Sequence, residues 1–329
     1  MKLKILFNGF RHGHINGLYR KVVDSEIAEV AGCIEPNAAA REEAEKKLGA
    51  VFSDMSYDEW LKSDIDAVAI GNAYGDRGAM IIKALAAGKH VIADKPICTR
   101  FDELEEIKRL ARENHLKVAC MLDLRYQSQT IKACEILDSG MLGEVRNISF
   151  NGQHAMDYGA RPSWYFEEGM HGGTINDLAI HGVDLVRMLT HKEFNRIDAA
   201  RVWNAYAHKN PDFKDCAMFM AGLEGNIGIM ADVSYSAPSQ AFSLPSYWEF
   251  RVWCERGMLC FNRPEAAVTV YLEGESQPIR YTDLPVGSDY LTDFVAEIQN
   301  GGNDLTENIF ASTEIALKLQ AEAEKETAI

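Results

Sequence analysis

The stretch AGKHVIADKPIC, residues 87–98, sets the reading of the chain. Its apolar core, Val91-Ile92-Ala93, is a short strand that stops in Asp94-Lys95-Pro96. Pro96 cannot continue a hydrogen-bond ladder and biases Lys95 towards an extended backbone, so two polar side chains are delivered to one sheet edge. In an open α/β sheet that edge is where ligands bind, which makes Lys95 the first candidate for chemistry.

The same unit recurs on both sides of it. Leu3 to Phe7 (LKILF) reads as a buried strand, followed by a glycine turn and a helix to about Val23. Ile27 to Ile34 reads as a second strand, and Asn37 to Leu48 as a helix capped by Asn37 and stopped by Gly49. Ile65 to Ile70, the helix from Arg77, the quoted strand, the helix Phe101 to Asn114 and the strand Leu116 to Leu122 complete the series. Strands alternating with helices of about ten residues or more imply a parallel, doubly wound sheet.

A glycine turn after the first strand, with an acidic residue closing the second, is the dinucleotide-binding arrangement. Backbone N–H groups of the turn take the pyrophosphate and the carboxylate, here Glu35, takes the adenosine ribose hydroxyls. Gly9, Gly13 and Gly17 are evenly spaced and depart from the G-x-G-x-x-G fingerprint, so from the glycines alone a plain strand-to-helix turn stays open. Glu35 is not followed by an arginine and would repel a 2′-phosphate, which favours NAD over NADP.

With 329 residues the chain is longer than one core usually supports, so two domains are expected. No run of about 18 apolar residues is present to span a bilayer, and the N-terminus lacks a secretory h-region. Seven scattered cysteines without a CxxC pair argue against a disulfide framework or a zinc cage, and a reducing cytoplasm is expected. The net charge of -15, from 34 basic and 49 acidic residues, repels phosphate backbones and anionic membranes, so nucleic acid and membrane are not expected partners.

After about residue 123 the pattern changes. Arg125 and Tyr126 follow the last strand of the series, Thr130 to Asp138 is helical, and Val145 to Phe150 starts a strand. The loop 151–173 carries His154, Tyr158, Arg161, Trp164, Tyr165 and His171, for which recognition and surface packing are both open. Along the helix Gly172 to Leu189, Asp177, His181 and Asp184 form one polar stripe, either a solvated face or a functional one; a metal held by Asp177 and His181 lacks a third ligand. From residue 195 extended segments separated by tight turns imply a largely antiparallel sheet. The fold class is therefore α/β: a Rossmann-type parallel-sheet domain, residues 1–123, followed by an α+β domain, residues 124–329, whose open sheet needs a cover.

These residues resemble the Gfo/Idh/MocA oxidoreductases, the family of glucose-fructose oxidoreductase and inositol dehydrogenase. Ile65 to Ile70 with Ala84-Leu85 and AGKHVIADKP resembles its "DAV-I … AL-AGKHV-EKP" segment, LDSGMLGEV (137–145) its "SG-LGEV" segment, and GGTINDLAIHGVDLVRML (172–189) its "GG---D-G-H--D---L" helix. Asp94 replaces the family's glutamate, and Asn72, Ala73, Tyr74 and Arg77 stand where it has Thr-Pro-Asn and a histidine.

The resemblance implies a nicotinamide-dependent dehydrogenase acting on a secondary hydroxyl or ketone of a sugar, cyclitol or sugar acid. It implies a catalytic set of Lys95, Asp177 and His181, residue types that proton removal and alkoxide stabilisation require. Cofactor contacts are expected from Gly9, Phe10, Arg11, His12, Glu35, Asn72, Asp94 and Lys95, and substrate contacts from Arg125, Tyr158 and Trp164. The cofactor is expected to be NAD, with no metal, and the partner a second copy of the chain, in a homodimer or homotetramer through the C-terminal sheet. A dihydrodiol or imine-type substrate and a non-catalytic nicotinamide sensor are the alternatives; Lys95, Asp177 and His181 occurring together argue against the sensor.

Overall fold

The apolar runs read from the sequence become the inner strands of a parallel sheet. The computed structural model describes residues 2–325, and the chain divides into two compact units. The first comprises residues 1–121 with two returning segments, 162–172 and 289–314. Its sheet holds β1 (Leu3–Asn8), β2 (Ala28–Ile34), β3 (Ala67–Ile70), β4 (His90–Ala93) and β5 (Val118–Cys120) in the order β2-β1-β3-β4-β5. All four pairings are parallel. Every residue of β3 and β5 is buried, as expected of parallel strands covered on both faces.

The helices between them are α1 (His14–Val23), α2 (Ala38–Leu48), the single turn α3 (Tyr57–Trp60), α4 (Tyr74–Ala86) and α5 (Phe101–Glu113). Local chemistry sets their ends: the Asn37 side chain accepts the Ala40 N–H at the start of α2, and Gly49 closes it in a left-handed conformation, φ 65°. Helix α4 begins three residues before the expected Arg77, because Tyr74 is buried in its first turn. Val51 to Ser53 contributes only an isolated parallel bridge between Cys33 and Phe52. The strand order reverses between β1 and β3, the switch point where a sheet of this kind opens a crevice at its carboxyl edge. The returning helix α8 (Tyr290–Asn300) and the first part of α9 (Asp304–Ala323) cover β5, where the Thr306 hydroxyl accepts the Val118 N–H at 3.1 Å.

The second unit comprises residues 122–161, 173–288 and 315–329. Eight strands, β6 (Val145–Ala155), β7 (Phe194–Trp203), β8 (Cys216–Leu223), β9 (Ile227–Ala237), β10 (Glu249–Cys254), β11 (Gly257–Asn262), β12 (Val268–Leu272) and β13 (Ile279–Tyr281), pair in the order β13-β12-β11-β10-β6-β9-β8-β7. Only the β6–β9 pair is parallel. One face packs on α6 (Ser128–Asp138) and α7 (Ile180–Thr190), with Phe150 of β6 so close to Gly182 that a Cβ there would lie 2.2 Å from its ring. The other face leaves Met218, Met220, Met230, Trp253 and Tyr271 about half exposed, and a groove of about 760 Å³ runs over Met218, Met220 and Met230. None of the seven cysteines is in a disulfide, and no helix among the described residues is long and apolar enough to cross a membrane.

Candidate functional site

In the first unit the centre is Asp94, fully buried at the end of β4. Oδ1 accepts the Lys95 N–H at 2.8 Å and faces His14 Nδ1 at 3.1 Å; Oδ2 faces His12 Nδ1 at 2.5 Å and Arg77 Nη2 at 3.3 Å. Arg77 is itself wholly buried, donating to the carbonyls of Asn72 and Pro96. Burial alone would raise the Asp94 carboxyl, but the charges set against it hold it well below the usual carboxylate range. Burial pushes His12 down to about 4, so at neutral pH it is an uncharged ring and the permanent counter-charge to Asp94 is Arg77. The carboxylate one methylene shorter than the family's glutamate is thus braced by two histidines and an arginine, none of which its own strand supplies.

Lys95 is 4% exposed, its Nζ 5.7 Å from the centre of the Tyr74 ring. That ring also stacks under the Arg77 guanidinium at 4.7 Å, and its hydroxyl meets that of Tyr165 at 2.9 Å. Trp164, expected as a substrate contact, is 1% exposed; its indole N–H donates to the Arg11 carbonyl at 3.1 Å and its ring packs on Tyr74 and Tyr165. The segment 162–172 is therefore a strap across the β1–α1 turn, and the structure gives Trp164 a packing role there.

The turn itself spends its first three amides internally. Gly9 N–H donates to Ile34, Arg11 N–H to Gly71, and Phe10 N–H to Glu35 Oε2 at 2.5 Å. Glu35, 6% exposed, also accepts the Asn37 N–H through Oε1 at 2.7 Å, so this carboxylate braces the turn as well as closing β2. The amides of His12, Gly13 and His14 make no hydrogen bond among the described residues, leaving the start of α1 open to an anion. Gly9 has φ 87°, and a Cβ on it would lie 2.7 Å from the Asn72 backbone nitrogen. Asn72 Oδ1 is buried without a hydrogen-bond partner. A close-approach glycine and open helix amides fit a dinucleotide pyrophosphate, whose oxygens only accept; the unmet Asn72 acceptor suits a hydroxyl or amide hydrogen instead.

In the second unit, Asp177 and His181 lie on the helix read from the sequence, but its first turn, Ile175–Ala179, is π-helical and α7 follows it. A solvated stripe is ruled out: Asp177 is 1%, His181 4% and Asp184 0% exposed. Each has a polar or charged neighbour. The Tyr235 hydroxyl donates to Asp177 Oδ2, Arg125 Nε lies 3.2 Å from Asp184 Oδ2, and His181 Nδ1 stands 3.9 Å from Asp123 Oδ1. The His181 ring meets Trp248 edge-on at 5.4 Å. Arg125 is thus in an ion pair, and Tyr158 lies 42% exposed near Lys209. Sequence reasoning missed Tyr235, Asp123, Arg77 and His14. Tyr235 and Asp123 sit in otherwise ordinary strand and turn sequence; the His-Gly-His spacing was the one available signal for His14.

Comparison with known proteins agrees with this fold. Residues 8–121 match the model of an oxidoreductase family with an NAD-binding Rossmann fold, and residues 130–260 the model of the GFO/IDH/MocA C-terminal domain. Similar curated proteins include levoglucosan dehydrogenase of Pseudarthrobacter phenanthrenivorans, 26% identical over 50% of this chain and 43% of that protein. The scyllo-inositol 2-dehydrogenase (NAD(+)) of Bacillus subtilis is 26% identical over 69% of this chain and 64% of its own length. The chain spans less than half the length of several such relatives, 43% and 42% in two cases. A putative oxidoreductase from Erwinia carotovora atroseptica superposes with TM-score 0.88 at 22% identity, covering 99% of this chain and all of that one. Levoglucosan dehydrogenase in complex with NADH and levoglucosan superposes with TM-score 0.83 at 18% identity, covering 99% of this chain and 98% of that one. At those identities the superpositions show the fold.

Proposed function

Because this chain belongs to the Gfo/Idh/MocA oxidoreductases, whose N-terminal domain is an NAD-binding Rossmann fold, we propose that it oxidises a secondary hydroxyl of a sugar, cyclitol or sugar acid. NAD supplies the hydride acceptor when bound, held by the turn Gly9–His14 and Asn72. The chain's own groups handle the oxygen and its proton. Lys95 donates a hydrogen bond to the substrate oxygen and stabilises alkoxide charge as it develops. His181 takes the hydroxyl proton on its imidazole and returns it in the reverse direction. Asp177, fixed by Tyr235, orients the substrate hydroxyl.

The observation that carries the proposal is Lys95 itself: a nearly buried ammonium at the carboxyl edge of β4, its own N–H fixed by Asp94. The relatives' names support the substrate class, since levoglucosan and inositol both offer secondary hydroxyls. The test is NADH formation by the purified protein across a panel of sugars, cyclitols and sugar acids. Turnover with a member of the panel, abolished in Lys95→Met, is expected; absence of turnover across the panel overturns it. A sensor that binds the dinucleotide without turnover is the second reading, motivated by Glu35 being engaged within the turn. The half-exposed methionines of the sheet face support a homo-oligomer formed there, which light scattering on the intact protein tests.

A further inference from the structure

His12 and His14 flank Gly13 in the turn before α1, and Asp94 closes β4 about eighty residues later. Folding brings them to one spot, where one donor atom from each lies within 4.8 Å of the other two. The two imidazole rings meet at 75° with centroids 4.4 Å apart, so they present nitrogens to a common point instead of stacking face to face. Exposure is graded: the Asp94 side chain is 0%, that of His12 13% and that of His14 47% exposed, which leaves an approach from solvent past His14.

We propose that His12, His14 and Asp94 form a binding site for a divalent transition metal of the zinc class. Two imidazoles and one carboxylate are the donor set such borderline cations take. Magnesium and calcium call for about six oxygen ligands, which this place does not offer. Three protein ligands with a fourth position left to water is the open tetrahedral arrangement. In the metal-free protein the two Nδ1 atoms and the two carboxylate oxygens are joined by hydrogen bonds. An ion entering between them is bound by the Nδ1 lone pairs after each ring proton moves to Nε2, so hydrogen bonds are exchanged for coordinate bonds and no charge is created on the rings.

Arg77, 3.3 Å from Asp94 Oδ2, opposes the cation and also keeps the carboxylate anchored. Affinity therefore rests mainly on the imidazoles and is weaker than that of closed structural zinc sites, of about micromolar strength. Because His12, Gly13 and His14 also carry the open amides of α1, a bound ion and a bound dinucleotide exclude each other; this clause rests on the proposed function, and the site itself does not.

The test is equilibrium dialysis of the chelator-treated protein against Zn²⁺, with the visible spectrum of the Co²⁺ form as a second readout. One ion per chain is expected, with a tetrahedral cobalt spectrum. His14→Gln, at a half-exposed position, and His12→Gln are each expected to weaken binding about tenfold or more, and the exposed His208→Gln to leave it unchanged. Zinc uptake that is unchanged in both His12→Gln and His14→Gln, or absent up to about millimolar metal, overturns the proposal. Adding NAD is expected to lower zinc occupancy. If NAD binds by fluorescence titration yet zinc occupancy holds, the exclusion clause is wrong; if NAD does not bind at all, the proposed function fails while the zinc result stands by itself.

Discussion

Tyr235 donates its phenolic hydrogen to Asp177, joining the C-terminal end of β9 to the π turn ahead of α7 with both residues about 1% exposed. A carboxylate that deep needs donors, and an aromatic hydroxyl is a rigid one. Tyr235→Phe keeps the ring and removes the donor. The expected loss is about 1–3 kcal/mol of stability, read from the urea midpoint at constant m. An unchanged midpoint would show that Asp177 draws its support elsewhere.

Lys95→Met keeps most of the side-chain volume over Tyr74 and removes the ammonium. On the proposed function kcat falls about 10²–10³-fold while NAD affinity stays within about twofold. Turnover close to wild type would remove Lys95 from the mechanism.

Glu35 holds the N–H groups of Phe10 and Asn37 with one carboxylate. Glu35→Gln leaves one acceptor oxygen and no charge, so the turn loses a charge-assisted bond. NAD affinity is expected to fall and NADP affinity to fall less, because the repulsion of a 2′-phosphate disappears with the charge. Fluorescence titration of both dinucleotides checks this; equal losses would make Glu35 a brace of the turn alone.

The Lys117 N–H donates to His90 Nδ1 at 2.9 Å, so that nitrogen carries no proton in the native state. Burial, helped by the Lys117 charge, pushes the ring down to about 4 from an ordinary 6.5. Between those values the unfolded chain binds a proton that the folded one refuses, so this contribution is full above the unfolded pKa and is lost as pH falls towards the folded one. Allowing for partial exposure the loss is on the order of 1–2 kcal/mol. Urea midpoints measured at about pH 7 and about pH 5 should differ by less in His90→Gln than in wild type.

How far the chain could be read from its letters follows from the range of the forces involved. Strand β3 and residues 91–93 of β4 announce themselves as unbroken apolar runs, since a parallel strand covered on both faces has no polar alternation to hide it. Lys95 was legible because Pro96 ends the strand beside it. The stripe of Asp177, His181 and Asp184 was half legible: spacing put the three on one helix, but Tyr235 and Arg125, which make burial tolerable, come from distant elements with no local mark. The strap was illegible for the same reason. Trp164 and Tyr165 look like loop aromatics until the chain returns them to Tyr74, some ninety residues back.

The π turn at Ile175–Ala179 has a geometric consequence of its own. Such a turn is an α-helix carrying one residue too many, and each residue advances the helix by about 100° about its axis. Asp177 lies within the widened coil and His181 just beyond it, so the angle between their bearings is set by a count of residues rather than by any residue's identity. Deleting one position between them would let the coil tighten to ordinary pitch and swing His181 about a quarter of a turn, with every side chain of the motif still present and one of them facing the wrong way.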